Sequence, residues 1–268
     1  MRGLTHVFWG GIMRTLMVAG MVMGFAWVCA AEERPMVAAA ASLKFAFSEV
    51  AEEFQRQTGM SVRLNFGSSG NFRRQILQGA PYEVFFSADE ENVLALHAQG
   101  FAVDAGRTYA RGRVVLLGHS LGLLGVGADL SGMVEAVRSH KITHFAIANP
   151  EHVPYGMRAQ EILRRLGVWE EIQPRLVVGE NVGQAAQFIL EGGADAGLVP
   201  LALVLSPSLA GKGEYVLVPE QWHTPLLQRG VLLKGAGPVA QAFYQFVFSA
   251  KAREILERYG FVPLGGGS

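Results

Sequence analysis

The chain has 268 residues, 23 of them basic and 23 acidic; half are hydrophobic and 17% are charged. That composition excludes a disordered chain, and the lack of a basic run or an aromatic-basic patch argues against nucleic acid as a partner. The length suits one large domain or two lobes, each with its own core.

Arg2 and Arg14 accompany an uncharged apolar run, 16–31, that ends in small residues before Glu32, Glu33, Arg34 and Pro35. This order describes a secretory signal peptide over 1–31, cut after Ala30 or Ala31, and a periplasmic destination. The run is close to the lower limit for a membrane span, but the small residues at its end favour cleavage. A lipid anchor at Cys29 fits less well, because Trp27 and Val28 are bulky. Cys29 is the only cysteine, so the mature chain has no disulfide and no thiolate metal site. Removing Arg2 and Arg14 with the leader leaves 21 basic residues against 23 acidic ones, a net charge of −2. An anion would have to be held by local donors, not by a global field.

From residue 36 on, strand-like and helix-like segments alternate. A strand over 36–40 precedes a helix over 43–57, with apolar residues at 43, 46, 47, 50, 51 and 54 and Gly59 at its end. A strand over 61–66, a helix over 71–78, a strand over 84–86 and a helix over 90–99 follow. Strands at 113–117 and 144–148, a helix at 156–166, a strand at 176–178, a helix at 183–191 and a strand at 196–199 come next. A strand at 226–233 and helices within 239–259 finish the pattern. The alternation predicts an α/β fold with mostly parallel sheets and helices on both faces. Residues 265–268, Gly-Gly-Gly-Ser, read as a flexible tail.

One pattern recurs: a strand ends, a small polar loop follows, and a helix begins. It occurs at Ala40-Ala41-Ser42-Leu43, Gly67-Ser68-Ser69-Gly70, Ser87-Ala88-Asp89, Pro154-Tyr155-Gly156 and Glu180-Asn181-Val182-Gly183. In open α/β sheets such loops lie at the carboxyl ends of the strands, where ligands bind. Helix N-termini leave N–H groups without intrahelical partners, and with the helix dipole they hold anions without a cationic side chain. Ser42, Ser69 and Tyr155 add hydroxyls. Each alone reads as a helix cap or turn residue; five such loops in one chain point to a shared site. A site made of donors suits molybdate, tungstate or sulfate, which carry no proton at neutral pH. It disfavours phosphate, whose proton needs an acceptor. Asp89 and Glu180 adjoin the loops; Asp89 is expected to cap its own helix.

The segments Ala39-Ala40-Ala41-Ser42-Leu43, Phe66-Gly67-Ser68-Ser69, Gly79 to Asp89, Asn149 to Gly156, Glu180-Asn181-Val182 and Arg258-Tyr259-Gly260-Phe261 resemble, in this order, the periplasmic molybdate-binding proteins of molybdate ABC transporters. The resemblance spans about residues 36–262. It implies a two-lobed periplasmic-binding-protein fold of type II with ligand in the cleft, and a monomeric, non-enzymatic receptor without cofactor. Its ligand would be molybdate or tungstate and its partner the membrane permease of an ABC importer. The lobes would be 35–112 with 223–264, and 113–222, hinged near Gly112 and near Gln221-Trp222. Ser42 and Ser69 look like the first lobe's hydroxyl and amide donors, Ala88 like a backbone donor, and Val182 like a backbone donor from the second lobe. Some family members place a tyrosine where this chain has Pro200; others carry it in the loop that here holds Tyr155, to which the role is therefore given.

Gly118-His119-Ser120-Leu121-Gly122 fits a serine-hydrolase nucleophile elbow, and Asp129 or Asp195 with His223 would give the chain order of a triad. The elbow needs a helix after the serine, and Gly122, Gly125 and Gly127 disfavour one. His140, His144 and His152 lack the helical placement of a metal site and read as surface residues. Trp169 and Trp222 read as packing aromatics rather than a platform for an organic ligand. A binding protein for another anion is a further alternative; no arginine lies within the five loops to clamp a carboxylate, although Arg73 and Arg74 follow one turn after Ser69.

Overall fold

β1 (Met36–Ala40) is a run of small apolar residues, and a 3-10 turn, Ala41–Leu43, carries it into α1 (Lys44–Thr58). β2 (Arg63–Gly67), α2 (Ser69–Leu77), β3 (Val84–Ser87), α3 (Glu91–Ala98) and β4 (Arg107–Gly112) follow. Next come β5 (Val114–Gly118), α4 (Met133–Arg138), β6 (Phe145–Ala148), α5 (Pro154–Arg165), α6 (Trp169–Ile172), β7 (Leu176–Gly179), α7 (Val182–Leu190), β8 (Ala196–Pro200), α8 (Leu201–Val204) and β9 (Glu214–Leu217). β10 (Leu226–Leu232), α9 (Pro238–Val247), α10 (Ala250–Arg258) and β11 (Val262–Pro263) end the chain. This computed structural model describes residues 34–264 apart from Ala128. The expected signal segment and the 265–268 tail lie outside the described residues. Among the described residues, no helix is long and apolar enough to cross a membrane.

The strands form two sheets. One has six strands in the order β11-β4-β10-β3-β1-β2, the other five in the order β7-β6-β8-β5-β9. The α/β architecture is as expected, but the sheets are mixed rather than mostly parallel. β1 pairs parallel with β2 and β3, and β6 pairs parallel with β7 and β8. β10, β4, β11, β5 and β9 pair antiparallel. The physical reason is the route of the chain. Parallel neighbours need a crossover, here a helix. β5 and β10 instead arrive directly from the other sheet, at the edge where the crossover-linked strands end, and so run against them. Only Arg113 separates β4 from β5, and residues 218–225 make the return passage. The two passages are tied together by Glu220, whose carboxylate lies 3.2 Å from Arg111 and 3.2 Å from Arg113.

α1 shows why the helices settle where they do. Its buried residues Ala46, Phe47, Val50 and Phe54 recur at helical spacing. Phe47 meets Phe86 of β3 edge-on at 4.8 Å between ring centroids, and Phe54 meets Phe243 of α9 at 5.3 Å. Gly59 ends the helix in the left-handed conformation, φ 74°, with its N–H on the Gln55 carbonyl. Six short elements have no counterpart in the sequence pattern: β4, α4, α6, α8, β9 and β11. β4 carries Arg107 and Arg111, β9 is an edge strand with Tyr215 and Leu217 exposed, and β11 has two residues. The three strands lack the apolar runs that betray inner strands, and the three helices, of four to six residues, are too short to show a helical period.

Candidate functional site

The parallel halves of both sheets end at one place. There Ser42, Ser69, Ala88, Tyr155 and Val182, all five of the residues singled out in the sequence, line a single small cavity with Ala40, Ala41, Gly67, Val153, Pro154 and Asn181. The cavity is tight, with a volume of about 10 Å3. No lining residue is charged. Ser42 and Ala88 come from the turns that follow β1 and β3, and Ser69 opens α2 after β2. Tyr155 and Val182 come from the helices that follow β6 and β7.

Each donor is set by its local sequence. Ser42 lies in the 3-10 turn between β1 and α1 and is buried; its Oγ makes no hydrogen bond of ordinary geometry among the described residues, although it lies near enough to the Tyr155 hydroxyl to lower that group's proton affinity. A buried hydroxyl without a well-formed hydrogen bond is uncommon in a folded protein. At α2, Ser68 is the cap: its Oγ accepts from the Asn71 N–H at 3.4 Å. That leaves Ser69 to face the cavity, where its Oγ accepts the Ala88 N–H at 3.1 Å. The Ala88 N–H is thus engaged by Ser69 in this structure. It polarises the Ser69 hydroxyl, whose own proton remains available, and such chains strengthen the terminal donor. At α7, Asn181 accepts from the N–H groups of Gly183 and Gln184 at 2.9 and 3.2 Å. Neither bond uses the Val182 N–H, which opens the helix at the cavity wall. α5 begins with Pro154, which fits a first helical position because its missing N–H would have had no helical partner. Tyr155 follows, fully buried.

Sequence reading missed what holds Tyr155. Gln228 of β10, with no exposed surface, directs its Nε2 at the Tyr155 hydroxyl at 3.3 Å, and Tyr109 of β4 donates to Gln228 Oε1 at 3.4 Å. Gly112 leaves the space: a Cβ there would stand 2.1 Å from the Tyr155 hydroxyl oxygen and 2.6 Å from Gln228 Nε2. Burial pushes the Tyr155 hydroxyl far above the ordinary tyrosine range, against the smaller opposing effects of Gln228 and Ser42. It is neutral, and so a possible donor, at any working pH. A lone glutamine in a strand and a glycine at a strand end carry no sequence signal of this role.

The acidic neighbours turn away. Asp89 caps α3, accepting from the Asn92 N–H at 3.2 Å, from Asn92 Nδ2 and from the Ser87 hydroxyl at 2.9 Å. Glu180 is largely exposed. His152 departs from the expectation of a surface histidine. It is buried, with Nδ1 2.8 Å from Ser68 Oγ, because the 149–153 turn packs on the start of α2. Among the described residues, no cluster of three His, Cys, Asp or Glu is placed to hold a metal ion.

The structure gives the hydrolase motif no support. After β5 the chain turns through 121–125 without forming a helix. Asp195 binds the backbone N–H groups of Thr143 and His144 and the Thr143 hydroxyl, Asp129 binds the Ser131 N–H, and His223 Nδ1 meets its neighbour's carbonyl. None of the three bonds to Ser120.

A sequence profile of the bacterial extracellular solute-binding protein family matches residues 35–262. The molybdate-binding protein ModA of Rhodobacter capsulatus is 36% identical over 90% of this chain and 93% of its own. That of Azotobacter vinelandii is 35% identical over 87% and 92%. The solved Azotobacter vinelandii periplasmic molybdate-binding protein superimposes with a TM-score of 0.78 at 32% identity, covering 86% of this chain and 100% of that one. The chain belongs to the bacterial extracellular solute-binding protein family and, within it, to the family of the molybdate-binding proteins.

Proposed function

We propose that the protein is a periplasmic receptor that captures molybdate or tungstate and delivers it to the membrane permease of an ABC importer. The observation that carries this reading is the cavity. Four helical N-termini and three hydroxyls converge on it without a charged side chain, and one hydroxyl, Ser42 Oγ, is buried without a well-formed hydrogen bond. Such a place suits a tetrahedral dianion that accepts at every oxygen. Ser42, Ser69, Tyr155 and Val182 donate to it, and Ala88 acts through Ser69 as well as by proximity. A proton-bearing anion would turn its hydroxyl toward donors, since no carboxylate lines the cavity. The relatives' names supply the choice of element.

In this reading residues 35–112 and 223–264 form one lobe and 113–222 the other. The passages at Arg113 and 218–225 are the hinge, and the closed form is what the permease reads. The protein is a monomer without catalytic activity or cofactor, and residues 1–31 direct its export. Calorimetric titration of the exported protein with molybdate, tungstate, sulfate and phosphate tests it. Tight binding of the first two with little or no response to phosphate is expected. Phosphate bound as tightly as molybdate would sink the donor-only site, and no binding of any of the four would sink the oxyanion assignment.

A further inference from the structure

Beside the ligand cavity, a further set of hydrogen bonds joins the two halves. The turn before α5 lies against the start of α2, which belongs to the other sheet. The His152 carbonyl accepts the Gly70 N–H at 3.0 Å and the Ser68 hydroxyl at 2.6 Å, and His152 Nδ1 lies 2.8 Å from the same hydroxyl. The ring is buried, and its far nitrogen is 3.6 Å from the exposed Glu180 carboxylate. Gly70 makes the approach possible. A Cβ there would stand 2.7 Å from the His152 carbonyl oxygen and 3.0 Å from its Cα. Ser68 and Gly70 flank Ser69, so the contact sits one residue to each side of a cavity hydroxyl.

We infer that His152, with Ser68 and Gly70, is a latch: a set of positioning residues that touches no ligand and holds the two halves closed on it. This rests on the proposed receptor function. The physical argument is one of partners. With the halves apart, the Gly70 N–H, the Ser68 hydroxyl and the His152 carbonyl and ring are hydrated. Closure exchanges those waters for bonds that only the closed form makes, so they favour the closed form. Because the latch forms after the anion enters, it governs release rather than capture. It should also act equally on every anion that fits, because it lies behind Ser69 and not in the cavity.

The test uses the exported protein and two variants, Gly70→Ala and His152→Ala, with molybdate and tungstate as probes. Affinity is read by calorimetry, and capture and release rates by stopped-flow tryptophan fluorescence. Alanine is the better helix former, so Gly70→Ala should leave the unliganded melting temperature unchanged or raised. Its methyl group nevertheless blocks the approach of His152, and release should be about tenfold faster or more, with capture within about twofold. His152→Ala adds no atom and removes only the ring contact, so a rise of about fivefold is expected, reversed in part by His152→Asn. It carries the test alone if the alanine at 70 does not fold. Release rates within twofold of the unmodified protein for the folded variants would overturn the latch, as would a loss that changes the order of molybdate and tungstate. If the unmodified protein binds neither anion, the receptor reading fails and the latch with it, an outcome distinct from normal binding by all variants.

Discussion

Tyr155→Phe separates the ligand-binding role of the hydroxyl from its role in the core. The hydroxyl is buried, faces the cavity, and accepts from Gln228 Nε2 at 3.3 Å. Because its oxygen already takes a hydrogen from Gln228, its own proton is the part left for an anion. Losing a hydrogen bond to a charged partner costs about 1.5–3 kcal/mol. At about 1.4 kcal/mol per decade, affinity for molybdate should fall roughly 10- to 150-fold. The unliganded protein should weaken as well, since Gln228 Nε2 loses its acceptor in a site without exposure, at a cost of about 1–3 kcal/mol. For a chain of this size that lowers the melting temperature by about 2–10 °C. Calorimetry on the folded variant measures the first effect and a thermal melt without ligand the second. Affinity within about threefold of the unmodified protein, with the melt shifted as expected, would mean that Tyr155 is a core residue only and that the donor set has been misassigned.

Further expectations follow from the same geometry. Gly112→Ala drives a methyl group into the Tyr155 hydroxyl, so affinity should fall about as far as in Tyr155→Phe, and the double variant should lose little more; additive losses would show that the two positions act separately. Burial holds the Tyr109 and Tyr155 hydroxyls well above their usual range and raises that of Tyr244 to about 12. A raised acid releases its proton more readily when unfolded, so stability is retained below about pH 10 and falls as pH rises beyond it; a melting temperature flat from about pH 9 to 11.5 would contradict those burials. With no charged side chain at the cavity, affinity should change less than about threefold between 50 and 500 mM sodium chloride, and a much steeper dependence on calorimetry would point to a cationic contact. Glu220→Gln removes the ion pairs to Arg111 and Arg113, which are about a third exposed. It should lower stability by less than about 1 kcal/mol, while its effect on the stopped-flow closing rate reports whether these passages act as the hinge.

The parts of this protein that were legible in its sequence share a cause. β1, β3 and β6 are buried on both faces and read as continuous apolar runs, and α1 and α5 show one apolar stripe each. The five loops were legible because serine, asparagine and proline at a strand-to-helix turn have local reasons to be there. What stayed hidden depends on distant partners. β4 and β9 are specified by the strands they join rather than by their own composition. Gln228 becomes meaningful only when β10 sets it opposite Tyr155, 73 positions away in the chain. His152 reads as a surface residue until the 149–153 turn is laid on α2, 84 positions from Ser68. Gly70 and Gly112 look like ordinary turn glycines, and only the approaching His152 carbonyl and Tyr155 hydroxyl reveal why a side chain is excluded there.

The division of donors between the halves explains how binding can be coupled to shape. Ser42, Ser69 and Ala88 follow strands of the six-stranded sheet, whereas Tyr155 and Val182 follow strands of the five-stranded one. Neither set alone surrounds a tetrahedral anion, so an anion resting on one set still has oxygens facing water. In the proposed receptor, bringing up the other set would satisfy those oxygens, and the anion's differential affinity for the two arrangements would shift the population toward the closed one. The Tyr155 hydroxyl adds a second link of the same kind, because its acceptor bond from Gln228 reaches across to the six-stranded sheet. In the proposed receptor, ligand, tyrosine and the His152 contact would thus all favour one closed arrangement. A permease that engages only that arrangement would accept loaded receptors and pass over empty ones, although it touches none of the donors itself.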